Sequence, residues 1–129
     1  MKTNTVEIGR KGERIAARFL KKNGFRILEK NNRQSHNEID IIATDKKYIV
    51  FVEVKTRSAS EDLYLKYGTP ASAVDRAKQK RTVAAARRYL SQNDAKGKQP
   101  RMDVIEVYLE KDSGKLLKIN HIQDAFGAR

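Results

Sequence analysis

Two short apolar runs with charges set inside them limit what this chain can fold into. Asn37-Glu38-Ile39-Asp40-Ile41-Ile42 is followed, after the polar Thr44-Asp45-Lys46-Lys47, by Tyr48-Ile49-Val50-Phe51-Val52-Glu53-Val54-Lys55. Both runs are rich in β-branched and aromatic residues, so the stretch predicts a β-hairpin. In the second strand Glu53 and Lys55 share the parity of Ile49 and Phe51 and project with them, while Tyr48, Val50, Val52 and Val54 take the other face. A connection of two or four residues sets an odd residue of the second strand against an even residue of the first, which brings Asp40 onto the face of Glu53. An aspartate, a glutamate and a lysine on one face of a half-buried hairpin are costly unless paired, hydrated or bound to a cation. If Asp40 and Glu53 pointed to opposite faces, with no bulge to correct them, a shared site would be excluded.

The rest of the chain reads as support for that hairpin. Its 129 residues suffice for one core and are too few for two, so residues 1–129 are expected to form a single α/β domain. The absence of cysteine excludes disulfides, thiolate zinc sites and cysteine nucleophiles, and suits the cytoplasm. The N-terminus has no apolar signal core, and no apolar run approaches the roughly 18 residues of a membrane span, so a cytoplasmic protein with no membrane role is expected. Lysine and arginine number 28 against 16 acids, a formal charge of +12 that points to a polyanion as partner.

Residues 6 to 23 have helical spacing, with Ile8, Gly12, Ile15 and Phe19 in line, Ala16 and Leu20 widening the stripe, and Asn23-Gly24 ending it. Glu13 lies on the margin of that stripe, and on helix geometry alone it is a surface glutamate paired with a cation such as Arg10. Phe25 to Glu29 is a first strand, Asn31 to Asn37 a polar loop whose His36 is read as an ordinary surface residue, and Thr56 to Pro70 a long connection suited to binding or gating. Residues 71 to 92 form a second helix, for which Gln79, Val83, Ala86 and Leu90 compete with Val74, Ala77, Ala84 and Ala85 as the buried stripe. Arg76, Lys78, Lys80, Arg81, Arg87 and Arg88 on this helix, continued by Lys96 and Lys98, would look the same on a solvated helix face, but with the charge of the whole chain they read as a phosphate track. A strand over Arg101 to Leu109, a turn over Lys111 to Gly114, a strand over Gly114 to Asn120, and a tail or final helical turn over residues 121 to 129 complete the chain. The expected order is α-β-β-β-α-β-β, a mixed sheet of about five strands flanked by helices.

Asp40 and Glu53 offer two hard oxygen ligands and the Val54 carbonyl a third, a set that suits magnesium or manganese. Lys55 beside such an ion would orient the attacking water or meet the charge building on a phosphate. Taken alone, Glu53-Val54-Lys55 reads first as an intrastrand ion pair on an edge strand, because the pattern is short.

Gly12-Glu13, Asn31-x-Arg33, Glu38-Ile39-Asp40-Ile41-Ile42-Ala43, Val50 to Arg57, Lys80, Tyr89-Leu90 and Arg101-Met102-Asp103-Val104-Ile105 together resemble the YraN family of small bacterial endonuclease-like proteins. That family belongs to the PD-(D/E)XK group of Holliday-junction-resolvase-like, restriction-endonuclease-like folds. The resemblance covers residues 7 to 125 and implies that fold. It implies Asp40 as the central metal-binding acid, Glu53 and Lys55 as the acidic and basic members of the motif, Glu13 as a further acid, and Gln79 near the site. Arg57, on the parity of Lys55, would reach a phosphate. Asn37 stands where the family carries glycine. The expected function is a Mg2+- or Mn2+-dependent endonuclease acting on DNA, branched or structured DNA included, with a homodimer by analogy. The rival readings are a non-catalytic basic module for DNA or RNA, and a protein docking on a ribonucleoprotein surface.

Overall fold

Helix α1 (Thr5–Lys22) follows the predicted spacing in the computed structural model, which describes residues 5–34, 37–59 and 76–127. Its apolar stripe puts Ala16, Ala17 and Leu20 into the core, with Ile8, Ile15 and Phe19 packed against them. The helix closes at Gly24, whose φ of 90° is left-handed, and the Phe25 N–H donates back to the Leu20 carbonyl at 3.0 Å.

Five strands follow: β1 (Arg26–Gln34), β2 (Asn37–Thr44), β3 (Tyr48–Ala59), β4 (Gln99–Glu110) and β5 (Leu116–Phe126), with helix α2 (Arg76–Gln92) between β3 and β4. They lie in the order β1-β2-β3-β4-β5. Neighbours are antiparallel except β3 and β4, which run parallel because α2 carries the chain back across the sheet. This is the mixed sheet flanked by helices that was expected.

The two edges depart from expectation. The polar stretch from Asn31 to Gln34 is strand, and so are residues 121 to 126 of the expected tail, since an edge strand half open to water needs no apolar alternation. The region of His36, the connection from residue 60 onward, and the helical start over residues 71 to 75 with Val74 lie outside the described residues.

α1 covers one face of the sheet, over Ile41, Ala43, Val50, Val52, Ile105, Val107 and Leu109. α2 covers the other, over Ile39, Ile42, Ile49, Phe51 and Met102. Its buried side is Thr82, Val83, Ala85, Ala86 and Tyr89, so the stripe through Val83 and Ala86 is the one used, while Ala77 and Ala84 lie outside the buried side. Among the described residues no helix is long and apolar enough to cross a membrane.

Candidate active site

The hairpin turn decides which charges meet. Asp45 Oδ1 accepts the N–H groups of Lys47 at 2.9 Å and Tyr48 at 2.7 Å, and the Asp45 N–H donates to the Tyr48 carbonyl at 3.1 Å, which leaves Lys46-Lys47 as a two-residue loop. The register is Thr44 opposite Ile49, Ala43 opposite Val50, Ile42 opposite Phe51 and Ile41 opposite Val52. Continued by one residue, it sets Asp40 against Glu53.

The paired ladder stops at that step. Ile41 and Ala43 pack toward α1 and Ile42 toward α2, but Ile39 also packs toward α2, so the alternation of faces breaks once between Ile39 and Ile42. Across on β1, Asn31 lies between the paired positions Lys30–Ile41 and Asn32–Ile39 and takes a left-handed φ of 54°. At the break Asp40 uses its carboxylate along the sheet, with Oδ2 accepting the Val54 N–H at 2.8 Å. In an extended strand the N–H and C=O of one residue point the same way, so the Val54 carbonyl also opens toward Asp40.

Glu53 is buried, and its Oε1 lies 3.6 Å from Lys55 Nζ and 3.9 Å from Lys78 Nζ, the latter from the first turn of α2. Burial first, then the Glu53 charge and more weakly Glu13, push the Asp40 carboxyl up to about 7 against the opposing Val54 N–H bond and Lys78. Glu13 enters from the opposite helix. A Cβ at Gly12 would collide with the Thr56 hydroxyl, so α1 touches β3 one residue past Lys55 and carries Glu13 to the edge of the site. With its amide turned to donate, Asn31 Nδ2 lies 3.1 Å from Glu13 Oε1 and 2.9 Å from Glu38 Oε1. Burial raises the Glu13 carboxyl above its ordinary value, with the Glu38 and Glu53 charges adding to it and the Asn31 bond opposing.

Asp40, Val54, Glu53 and Lys55 therefore meet where β2 and β3 part, and Glu13 stands at the margin, near enough for its charge to act on Asp40. Arg57 continues the Glu53–Lys55 row on β3 and is exposed, beside Tyr108 in register. The basic residues of α2 separate into two groups. Lys80, Arg81, Arg87 and Arg88 stay on the exposed side, and Gln79 shares a shallow depression with Arg76, Lys80 and Arg87. Lys78 instead turns into the site, a correction to its reading as one more residue of the outer track.

Two acids of β4, Glu106 and the Asp103 of the Arg101-to-Ile105 motif, were assigned no role from sequence. Glu106, alongside Lys55 in register and fully buried, accepts from Asn120 Nδ2 at 2.7 Å and keeps an unpartnered Oε2 among the described residues. Asp103, also fully buried, accepts from Arg101 at 2.8 and 2.9 Å, shares a hydrogen with His121 Nε2 at 2.7 Å, and takes the Asp124 N–H at 3.0 Å. Residue parity in the strand puts Arg101 and Asp103 together; His121 was hidden by reading its segment as a tail.

The donor set decides what ion would fit. Among the described residues no group of three or more His, Cys, Asp or Glu side chains is placed to hold a metal ion. Two carboxylates and a carbonyl suit magnesium or manganese, which keep several waters, and the poorly compensated charge of Asp40 is of the kind that a cation relieves.

A family model described as Uncharacterised protein family UPF0102 matches residues 12–107. A UPF0102 protein of Caldanaerobacter subterraneus subsp. tengcongensis is 46% identical over 125 residues, covering 97% of this chain and 98% of that protein. One from Dictyoglomus thermophilum is 42% identical over 123 residues, covering 95% and 99%. Among solved structures, a repair endonuclease from Pyrococcus abyssi is similar at a TM-score of 0.40 and 19% identity, over 88% of this chain and 41% of that one. An XisH family protein from Nostoc punctiforme is similar at 0.40 and 11% identity, over 84% and 97%. On the match from residue 12 to residue 107 and on relatives that align over nearly their whole length, this chain belongs to family UPF0102, the YraN family.

Proposed function

We propose that this protein is a divalent-metal-dependent endonuclease that hydrolyses phosphodiester bonds of DNA, branched or otherwise structured DNA included. One observation carries the reading: Asp40 and Glu53 are gathered where β2 and β3 part, with Lys55 3.6 Å from Glu53, on a domain of net charge +12. A module that only holds phosphates gains nothing from carboxylates beside its basic surface.

In this reading Asp40, Glu53 and the Val54 carbonyl hold Mg2+ or Mn2+, with Glu13 as an outer acid. Such an ion supplies a more acidic water and neutralises phosphate charge. Glu53 and Asp40 fix the attacking water relative to the phosphorus. Lys55 donates to that water or to the oxygen on which charge builds. The water oxygen bonds to phosphorus and gives a proton to solvent, the bond from phosphorus to one sugar oxygen breaks, and that oxygen takes a proton from solvent water to leave as an alcohol. Arg57, Lys80, Arg81, Arg87 and Arg88 hold the flanking phosphates. Two copies acting as a homodimer would address two strands.

The test is incubation with linear, flap and four-way-junction DNA in Mg2+, Mn2+ or EDTA, beside Asp40→Ala and Lys55→Ala. Metal-dependent cleavage lost in both variants is expected. Cleavage that survives EDTA or Asp40→Ala refutes the mechanism. Among the described residues no three acids are placed to hold a metal together, and this favours one second reading, a non-catalytic nucleic-acid-binding module. Tight binding with no cleavage of any substrate would establish it.

A further inference from the structure

Lys78 has a different environment from the other cations of α2. Arg76, Lys80, Arg81, Arg87 and Arg88 are exposed, whereas the Lys78 side chain retains 29% exposure and its Nζ stands 3.9 Å from Glu53 Oε1 and 3.4 Å from Asn37 Oδ1. Lys55 already reaches the same Glu53 oxygen at 3.6 Å. One ammonium suffices to balance one carboxylate, so the second, delivered by another element, balances the acid pair as a whole. Asn37, 8% exposed, holds it there through Oδ1, and its buried Nδ2 has no partner among the described residues.

We infer that Lys78 is an internal counter-ion of the Asp40–Glu53 pair, positioned by Asn37, which an arriving divalent cation displaces and which then contacts the phosphate brought to that cation. This rests on the nuclease reading. A divalent ion at the acids and an ammonium about 4 Å away repel each other, so the lysine occupies the electrostatic place of the ion until the ion comes. Its flexible four-carbon stem lets the ammonium move to the nearest new anion, the phosphate, without moving the helix. Asn37 adds direction to the resting position, because its oxygen accepts from the ammonium beside a Glu53 carboxylate already shared with Lys55.

The experiment measures two affinities on the full chain. Mn2+ binding is read by calorimetry, and binding of a labelled thymidine oligonucleotide in Ca2+ by anisotropy. The variants are Lys78→Gln, Lys78→Arg, Asn37→Ala, Asp40→Ala and, as the outer-track control, Arg87→Gln, each checked for folding by circular dichroism. Lys78→Gln is expected to tighten Mn2+ roughly tenfold while weakening the oligonucleotide, a pair of opposite signs that a merely structural residue does not produce. Asn37→Ala moves both in the same senses by less, Lys78→Arg stays near the wild type, and Arg87→Gln weakens only the oligonucleotide. If Lys78→Gln weakens both, or leaves Mn2+ affinity where Arg87→Gln leaves it, the inference is overturned while the nuclease reading stands. If the wild type shows no Mn2+ binding that Asp40→Ala abolishes, both fall.

Discussion

Removing the charge of Asp40 should stabilise the empty protein while destroying its site. The carboxyl is raised from an ordinary 3.8 to about 7 by burial and by Glu53, so it is protonated in the fold at pH values where it is ionised in the unfolded chain. The folded state thus binds more protons than the unfolded state between about pH 4 and pH 7, and stability falls as pH rises through that window. The rise from 3.8 to about 7, at roughly 1.36 kcal/mol per pH unit, sets a ceiling of about 4 kcal/mol on the penalty at pH 8. Asp40→Asn offers an amide oxygen in place of the carboxylate oxygen that accepts the Val54 N–H but adds an NH2 group that must find an acceptor, so a net gain of about 1–3 kcal/mol is expected. The assay is urea unfolding in EDTA at pH 5 and pH 8. The Asp40→Asn protein should be more stable than the wild type at pH 8 and nearly equal to it at pH 5, and Mg2+ should restore stability to the wild type alone. A variant less stable than the wild type at pH 8 in EDTA would refute the reasoning, since it would show Asp40 to be a satisfied structural carboxylate.

Other positions give further tests. Gly12→Ala should cost about 1–3 kcal/mol by urea unfolding, because a methyl there meets Thr56, and Thr56→Ala in the same chain should recover part of the loss. Asp103→Ala should cost about 3–5 kcal/mol by leaving the buried Arg101 and the half-buried His121 without their carboxylate. Burial would raise the Asp103 carboxyl, but the His121, Arg101 and Asp124 hydrogen bonds outweigh it and hold it below 3.8. Its contribution is therefore present above that value and is lost as pH falls below it, so the gap between wild type and Asp103→Ala should close in acid unfolding. Arg87→Gln should weaken DNA binding evenly across sequences and lower the slope of log affinity against log salt by about one.

The hairpin was legible because parity and loop length are properties of local sequence: Lys46-Lys47 makes a two-residue connection, and the register from Thr44 and Ile49 to Ile41 and Val52 follows by counting. Charge composition identified α2 as basic but carries no information about direction. Lys78 and Lys80 are equivalent in sequence, and only the seating of α2 on Ile42, Phe51 and Met102 turns Lys78 inward. The face change at Asp40 was equally hidden, because it depends on Asn31 from a neighbouring strand in a left-handed conformation, within a stretch whose polarity reads as loop. The second half of β5 failed for the same reason, and with it went the Arg101–Asp103–His121 cluster, of which strand alternation supplies two members and tertiary pairing the third.

The central claim is that Asp40 and Glu53 form one cation site, and manganese supplies its own signal. Crystals of the protein grown in Mn2+ and measured at the manganese absorption edge should show an anomalous peak bonded to carboxylate oxygens of both Asp40 and Glu53 and to the Val54 carbonyl, absent in Asp40→Ala. A saturated crystal with manganese elsewhere and none between those two carboxylates would contradict it.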